Sequence, residues 1–353
     1  MRYLSVCSGI EAATVAWHPM GWTPVAFSDV DPFSSAVLAH HYPNVPNYGD
    51  MTNYENWPIK EGDVDLLVGG TPCQSFSVAG LRGGLRDPRG GLMLTYLEIA
   101  KRLRPRWIVW ENVPGVLSSG RGRDLGSFLG GLGELGYGWA YRVLDAQWIR
   151  TEQHPLAVPQ RRRRVYVVGC LGDAASASKV LFESQSLSRD STKSRKKGKA
   201  VAQTLGLGPV FEGELHDTVG TLCADTHPGA YSGQDAYTGR LIPCASFTKS
   251  KRAQSVNDDE TWVEGEVAPT QNLFDSGDTR ATTIAIDTAN NVRRLTPIEC
   301  ERLQGFPDDY TKIPWKNKAA DDCPDGPRYR AIGNSMAVNC MEWVGERINA
   351  ING

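Results

Sequence analysis

Apolar residues in the first half of the chain follow two alternating rhythms. Short apolar runs that stop at Gly, Asp or Pro read as buried strands. These are Tyr3 to Cys7, Pro24 to Ser28, Leu66-Leu67-Val68 ending at Gly69-Gly70, and Trp107-Ile108-Val109-Trp110. Helical spacing fills the gaps, with one helix ending near Gly21, one over Phe33 to His41, and one carrying Leu92, Leu94, Leu97, Ala100 and Leu103 along one side. A short strand near Val45, a Gly-rich helix after Pro114, and late strands at Tyr141 to Leu144 and Arg163 to Val168 complete the series. Strand and helix in alternation predict an α/β fold with a doubly wound, mostly parallel sheet.

The rhythm stops at about Ala174. Ser, Lys and Arg dominate to Lys199 without an apolar period, as in a linker or a mobile basic arm. Residues 200–290 are rich in Gly, Thr and Asp and read as a smaller, loop-rich second domain. Ordered pattern returns at Val292. Thr296, Pro297 and Glu299 have the spacing of a helix cap, a first-turn proline and a cap partner. After Gly333-Asn334-Ser335, a final helix places Val338, Met341, Val344 and Ile348 on one face. The expected division is 1–173, 174–290, and 291–353 returning to the first domain.

Composition narrows the class. The 353 residues are 41% hydrophobic and 22% charged, as in an ordinary globular protein. No run of about 18 apolar residues offers a membrane span, and the opening MRYLSVCSG has no signal-peptide pattern. Eight cysteines without a C-x-x-C pair argue against a zinc site or a disulfide framework, so no metal is expected and a reducing cytoplasm fits. A net charge of -2 weakens a nucleic-acid reading without removing it, because basic runs remain at Lys101 to Arg106, Arg121 to Arg123, Arg161 to Arg164 and Lys193 to Lys199. Each run alone is equally a solvated surface.

Candidate chemistry gathers at strand ends. Pro72 fixes the backbone before Cys73, on a glycine-rich loop where open α/β sheets bind ligands. By itself Cys73 is as readily an inert thiol as a nucleophile. Ser8-Gly9-Ile10-Glu11 occupies the nucleotide position after the first strand, Asp29 follows the second, and Asp50 the third. The glycine loop lacks G-x-G-x-x-G, so a pyrophosphate is poorly served and an adenosine without phosphate fits better, S-adenosylmethionine being such a ligand. Glu111 ends an apolar strand and is either a turn acid or a partly desolvated proton donor. In the extended run Gln160 to Arg164, Arg162 and Arg164 share one face while Arg161 and Arg163 share the other.

With Pro72-Cys73-Gln74, Glu111-Asn112-Val113 and Gln160-x-Arg162-x-Arg164 in this order, the chain resembles the DNA cytosine-5 methyltransferases. The likeness extends to the Ser8-Gly9 loop, Arg293 to Cys300 with Gln304-Gly305-Phe306-Pro307, and Gly333-Asn334-Ser335, covering roughly 1–170 and 292–353. The resemblance implies the S-adenosylmethionine-dependent methyltransferase fold with a target-recognition domain at 174–290 and DNA in the cleft. It implies a donor site at Ser8, Gly9, Ile10, Glu11, Asp29, Val30, Asp50, Met51, Pro72, Asn334 and Ser335. It implies DNA contacts at Gln74, Ser77, Gln160, Thr221 and Leu222, with Lys193 to Lys199 adding affinity without specificity. Cys73 would add to carbon 6 of a flipped-out cytosine, Glu111 would serve ring nitrogen 3, and Arg164 with Arg162 behind it would hold the base and the Cys73 loop.

The family's first loop usually reads F-x-G-x-G-G, whereas this chain has Cys7-Ser8-Gly9-Ile10-Glu11-Ala12. Glu11 is expected to face the cationic methionine end of the donor, or else to serve only as an acid at a helix start. The expected partner is double-stranded DNA acted on by a monomer, with room for a cognate restriction enzyme, in a bacterial or phage-infected cytoplasm. Three other readings compete: a related branch that methylates transfer RNA, a DNA-gripping protein without chemistry, and an oxidoreductase using Cys73 as a redox thiol. The intact Cys, Glu and Arg set opposes the second. The missing pyrophosphate loop and partner cysteine oppose the third.

Overall fold

The computed structural model describes residues 1–72, 91–182 and 295–352, together with the short strands at 247–249, 262–264, 285–286 and 292–293. The chain divides into two compact units. One contains Met1–Leu144, Arg163–Ser188 and Cys340–Gly353; the other contains Asp145–Arg162 and Arg189–Asn339.

The first unit is built on a six-stranded sheet. Its strands are β1 (Arg2–Val6), β2 (Thr23–Ser28), β3 (Leu66–Gly69), β4 (Trp107–Asn112), β5 (Tyr137–Asp145) and β6 (Arg163–Leu171), in the order β2-β1-β3-β4-β6-β5. β1 pairs in parallel with β2 and β3, and β3 with β4, while β6 runs antiparallel to β4. The four parallel strands are apolar almost throughout, because helices cover a parallel sheet on both faces.

Helix boundaries follow local chemistry. α1 (Ala12–Trp17) runs into a 3₁₀ turn at His18–Met20 and stops at Gly21, whose φ of 75° suits a residue without Cβ. α2 (Pro32–His41) starts with Asp31 accepting the Ser34 amide at 2.8 Å and with Pro32 in its first turn. α3 (Gly91–Leu103) buries Met93, Leu94, Tyr96, Leu97, Ile99, Ala100 and Leu103. The Tyr96 hydroxyl lies 3.0 Å from the carbonyls of both Leu67 and Val109, anchoring α3 across β3 and β4. α4 (Arg123–Glu134) adds Leu125, Phe128, Leu129 and Leu132 to the same core.

Three features differ from the sequence reading. Ala174–Phe182 forms a helix, α5, where irregular basic chain was expected. Its Ala177, Val180 and Leu181 are fully buried, an apolar stripe too short to stand out beside the Ser- and Lys-rich run that follows. The expected strand near Val45 is a turn, and only Asn47 bridges Phe27. β5 begins at Tyr137 rather than Tyr141.

In the second unit, β7 (Phe247–Lys249) pairs antiparallel with β8 (Trp262–Glu264), and β9 (Ala285–Ile286) with β10 (Val292–Arg293). α6 (Pro297–Leu303) carries the full capping box: the Glu299 amide donates to Thr296 Oγ1 and the Thr296 amide to Glu299 Oε2. α7 (Asp325–Asn334) follows, and α8 (Val338–Asn352) begins at the boundary of the units. Within the sheet unit, Trp17 Nε1 donates to the Met341 carbonyl at 2.7 Å and ties α8 to α1. Among the described residues no helix is long and apolar enough to cross a membrane.

Gly69 ends β3 where a Cβ would lie 2.6 Å from both Cγ2 and the carbonyl oxygen of Val6 and 3.2 Å from the Tyr96 ring. Gly69→Ala should therefore cost about 1–3 kcal/mol through overpacking. Gly130, exposed in the interior of α4 with nothing near its Cβ position, should instead gain about 0.5–1 kcal/mol on substitution by Ala. Thermal unfolding of the two variants should shift in opposite directions.

Candidate functional site

Register aligns the strand ends. Val6 of β1 sits opposite Ser28 of β2 and Gly69 of β3, and Gly69 sits opposite Trp110 of β4. The residues just beyond, Cys7-Ser8-Gly9, Asp29 and Gly70-Thr71-Pro72, therefore leave the sheet along one carboxyl edge, while β4 runs on through Glu111 to Asn112. This is the edge where open α/β sheets place ligands.

The first turn carries positive φ at Cys7 (50°), Gly9 (56°) and Glu11 (66°). Such a conformation costs a residue with a Cβ roughly 1–2 kcal/mol, which suits the glycines that the family pattern has at positions 9 and 11. Glu11 is held there by its side chain. Ser5 Oγ donates to Glu11 Oε1 at 2.8 Å, Thr14 Oγ1 donates to Oε2 at 2.7 Å, and the Tyr3 hydroxyl lies 2.6 Å from Thr14 Oγ1. The side chain is thus turned inward beneath the loop and is 1% exposed. Burial pushes its pKa from 4.5 to about 7, with the hydrogen bonds from Thr14 and Ser5 opposing and the Asp29 charge adding. The Ile10 side chain is also fully buried, while Ser8 Oγ donates to the Ser5 carbonyl at 3.0 Å.

Asp29 follows β2 and is half-buried. Its Oδ2 accepts the Gly9 amide at 2.7 Å and its Oδ1 the Asp31 amide at 2.8 Å. Burial raises its pKa, against the pull of those two amides. Val30 beside it is 70% exposed, an apolar surface at the lip of the turn. Asp50 is exposed, with Oδ1 accepting from the amide and hydroxyl of Thr52. Met51 is buried against Cys7, sulfur to sulfur 3.5 Å. Burial, followed by Asp29 and Asp50, pushes the Cys7 thiol up to about 12, so it stays protonated.

Two positioning side chains escaped the sequence reading. Asn47 Oδ1 accepts the amides of Asp29 and Gly49, each at 3.0 Å, and lies in a Pro- and Asn-rich stretch that signals only a turn. Thr71 is buried; its Oγ1 accepts Trp110 Nε1 at 3.0 Å and its carbonyl accepts Asn112 Nδ2 at 2.8 Å, securing the chain before exposed Pro72. Cys73, Gln74 and Ser77 lie outside the described residues, as do Lys193 to Lys199, Thr221 and Leu222.

Near the end of β4, Glu111 Oε1 lies 3.2 Å from Arg164 Nε, and both side chains are about nine-tenths buried. Arg164 Nη1 also donates to the Arg163 carbonyl at 2.8 Å. Along the run, Arg162 and Arg164 are buried and Arg163 is exposed. Arg162 belongs to the second unit, where Nη2 donates to the carbonyls of Gly333 (3.0 Å) and Ser335. In that unit Gln160 is fully buried, Asn334 is exposed, and Ser335 is buried with its amide bonded to the Ile332 carbonyl at 3.1 Å.

The Glu11 environment gives a pH signature. Its proton is held in the folded protein up to about pH 7 but leaves the unfolded chain near 4.5. The stability this contributes is complete below pH 4.5 and is lost as pH rises through 7, a change on the order of 3 kcal/mol. Glu11→Gln should flatten the fall of the melting temperature across that window. An unchanged slope would place the carboxylate in contact with water.

Comparison with known proteins gives this edge its context. The C-5 cytosine-specific DNA methylase family matches residues 1–350. The DNA N-6-adenine-methyltransferase of Escherichia phage P1 is 35% identical over 468 aligned residues, covering 98% of this chain and 61% of that protein. This chain thus spans about three fifths of that relative's length. Type II methyltransferase M2.BsuMI of Bacillus subtilis (strain 168) is 28% identical across 100% of this chain and 76% of its own. The crystal structure of S. pombe Dnmt2 methyltransferase shares the fold, with a TM-score of 0.58 at 16% identity over the full length of both chains. Matched from the first strand into the last helix, the chain belongs to the C-5 cytosine-specific DNA methylase family.

Proposed function

We propose that the protein transfers a methyl group from S-adenosylmethionine to carbon 5 of a flipped-out cytosine in duplex DNA. The observation that carries this is the common carboxyl edge of β1 to β4, with acidic turns after β1 and β2 and the buried Glu111–Arg164 pair at β4.

The acidic side suits such a donor. Residues 7–12, 28–31 and 49–51 contain Glu11, Asp29, Asp31 and Asp50 and no Lys or Arg. These turns would repel a phosphate and attract a cation. Asp29 and Asp50 offer acceptors for hydroxyl and amino groups, and Val30 offers an apolar face for a purine. The Gly9 amide is already committed to Asp29, so it orders the acid rather than binding an anion. When bound, the donor supplies a methyl group on a sulfonium.

The remaining steps belong to this chain. The Cys73 thiolate forms a bond to carbon 6, and the electron pair displaced from the ring double bond makes carbon 5 nucleophilic. Glu111, oriented by Arg164, hydrogen-bonds at ring nitrogen 3 and offsets the charge arriving there. Carbon 5 takes the methyl group and then gives up its proton to water, and the electron pair of that C–H bond restores the ring double bond and expels Cys73 as a thiolate. No oxidant or reductant is consumed.

The name of the phage P1 relative concerns adenine, and the products distinguish the two bases. Nucleosides from DNA treated with the protein and labelled S-adenosylmethionine should carry the label as 5-methylcytosine. Label found only as N6-methyladenine would overturn the proposal. Cys73→Ser should lower turnover by roughly 10³-fold or more, and 5-fluorocytosine at the target should trap the wild-type protein covalently. An adduct that survives the substitution would rule out Cys73 as the nucleophile.

We propose target recognition by 174–290, including Thr221 and Leu222, with Gln74, Ser77 and Gln160 contacting DNA. Donor contacts from Asn334 and Ser335 complete the assignment, and Arg162 braces their turn through the Gly333 and Ser335 carbonyls.

A further inference from the structure

We propose that Asn47 is a positioning residue that sets the spacing between the two acidic turns of the donor site. The inference rests on the S-adenosylmethionine reading above and deepens it.

Asn47 uses its whole hydrogen-bonding capacity on these turns. Its Oδ1 accepts the amides of Asp29 and Gly49, each at 3.0 Å. Its Nδ2 donates to the Asp29 carbonyl at 3.2 Å and to Ser35 Oγ at 3.0 Å. Ser35 Oγ in turn donates to the Asp29 carbonyl at 3.1 Å. A side-chain amide has two donors and two acceptor lone pairs, and all four sites are engaged. Asn47 therefore grips both the amide and the carbonyl of Asp29, and also the residue immediately before Asp50.

The backbone around it leaves little freedom. The Phe27 amide donates to the Pro46 carbonyl and the Tyr48 amide to the Phe27 carbonyl, both at 2.9 Å. These bonds add 46–48 to the edge of β2 for a single bridge. Ser28 Oγ donates to the Gly49 carbonyl at 2.6 Å, closing the link from the other side. The clamp continues inward, because Asp29 Oδ2 holds the Gly9 amide of the first turn at 2.7 Å. One amide side chain thus coordinates the turns after β1, β2 and the 46–49 segment.

No other residue type reproduces this. Aspartate lacks the two N–H donors and would add a third carboxylate beside Asp29 and Asp50. Leucine matches the shape and makes none of the four bonds. Asn47 is itself occupied on every polar atom, so it acts on a donor only through Asp29 and Asp50. Its loss should separate binding from turnover.

The test uses the full-length protein with S-adenosylmethionine as the calorimetric probe. Asn47→Asp and Asn47→Leu should raise the dissociation constant for S-adenosylmethionine at least tenfold and raise its KM in step. At saturating donor, kcat and the KM for DNA should stay near wild type. Ser35→Ala, which removes the two bonds of its hydroxyl and leaves the other three bonds of Asn47 in place, should give a smaller change in the same direction and supplies a folded variant if the others do not fold. Hydrogen exchange of the Asp29 and Gly49 amides in donor-free protein reads the clamp directly and should quicken in each Asn47 variant. Folded variants that bind S-adenosylmethionine as tightly as wild type would overturn the positioning role. A wild-type protein that protects these amides yet binds no S-adenosylmethionine would overturn the donor reading itself.

Discussion

Everything at the candidate site depends on β1 and β3 lying close and in register at their carboxyl ends. Gly69 makes this possible: it sits opposite Val6, and a single added carbon would strike the Val6 side chain and carbonyl at 2.6 Å. With that contact in place, β1, β2 and β3 terminate together and their turns emerge side by side, next to the last residues of β4. A one-residue slip would send each strand's side chains to the opposite face. Tyr96 guards the same alignment from the helix layer through the carbonyls of Leu67 and Val109.

The turns so aligned concentrate acids at the rim of the core. Glu11 and Asp29 both have raised pKa values, chiefly because burial disfavours their charged forms. Burying charged carboxylates is unfavourable. It is tolerated because hydroxyls and amides surround each group: Ser5 and Thr14 for Glu11, Gly9 and Asp31 for Asp29.

Glu111 and Arg164 form a different electrostatic arrangement. Both are nearly buried, and breaking such a buried pair by removing one partner typically costs about 3–5 kcal/mol. Two residues earlier, Arg162 is equally buried but spends its guanidinium on backbone carbonyls at Gly333 and Ser335. The chain passes from the second unit to the sheet unit between Arg162 and Arg163. One basic run therefore supplies a brace to one unit and an ion-pair partner to the other.

Much of this was legible in the sequence because it depends on neighbours along the chain. Strand ends at Gly69 and Asp29, the Thr296–Glu299 capping box, and the buried face Val338, Met341, Val344 and Ile348 all follow from local spacing. The alternation along Arg162, Arg163 and Arg164 follows from extended geometry alone. Tertiary structure decided the rest. α5 gains its helix from burying Ala177, Val180 and Leu181, a stripe too brief to register beside a basic tract. The inward turn of Glu11 depends on Ser5 and Thr14 meeting it from two elements. Asn47 acquires its role only when the turn after β2 folds against it, 18 residues away in sequence for Asp29. A sequence records which side chains can donate and accept, but the partner is chosen by the packing that brings distant segments within hydrogen-bond reach.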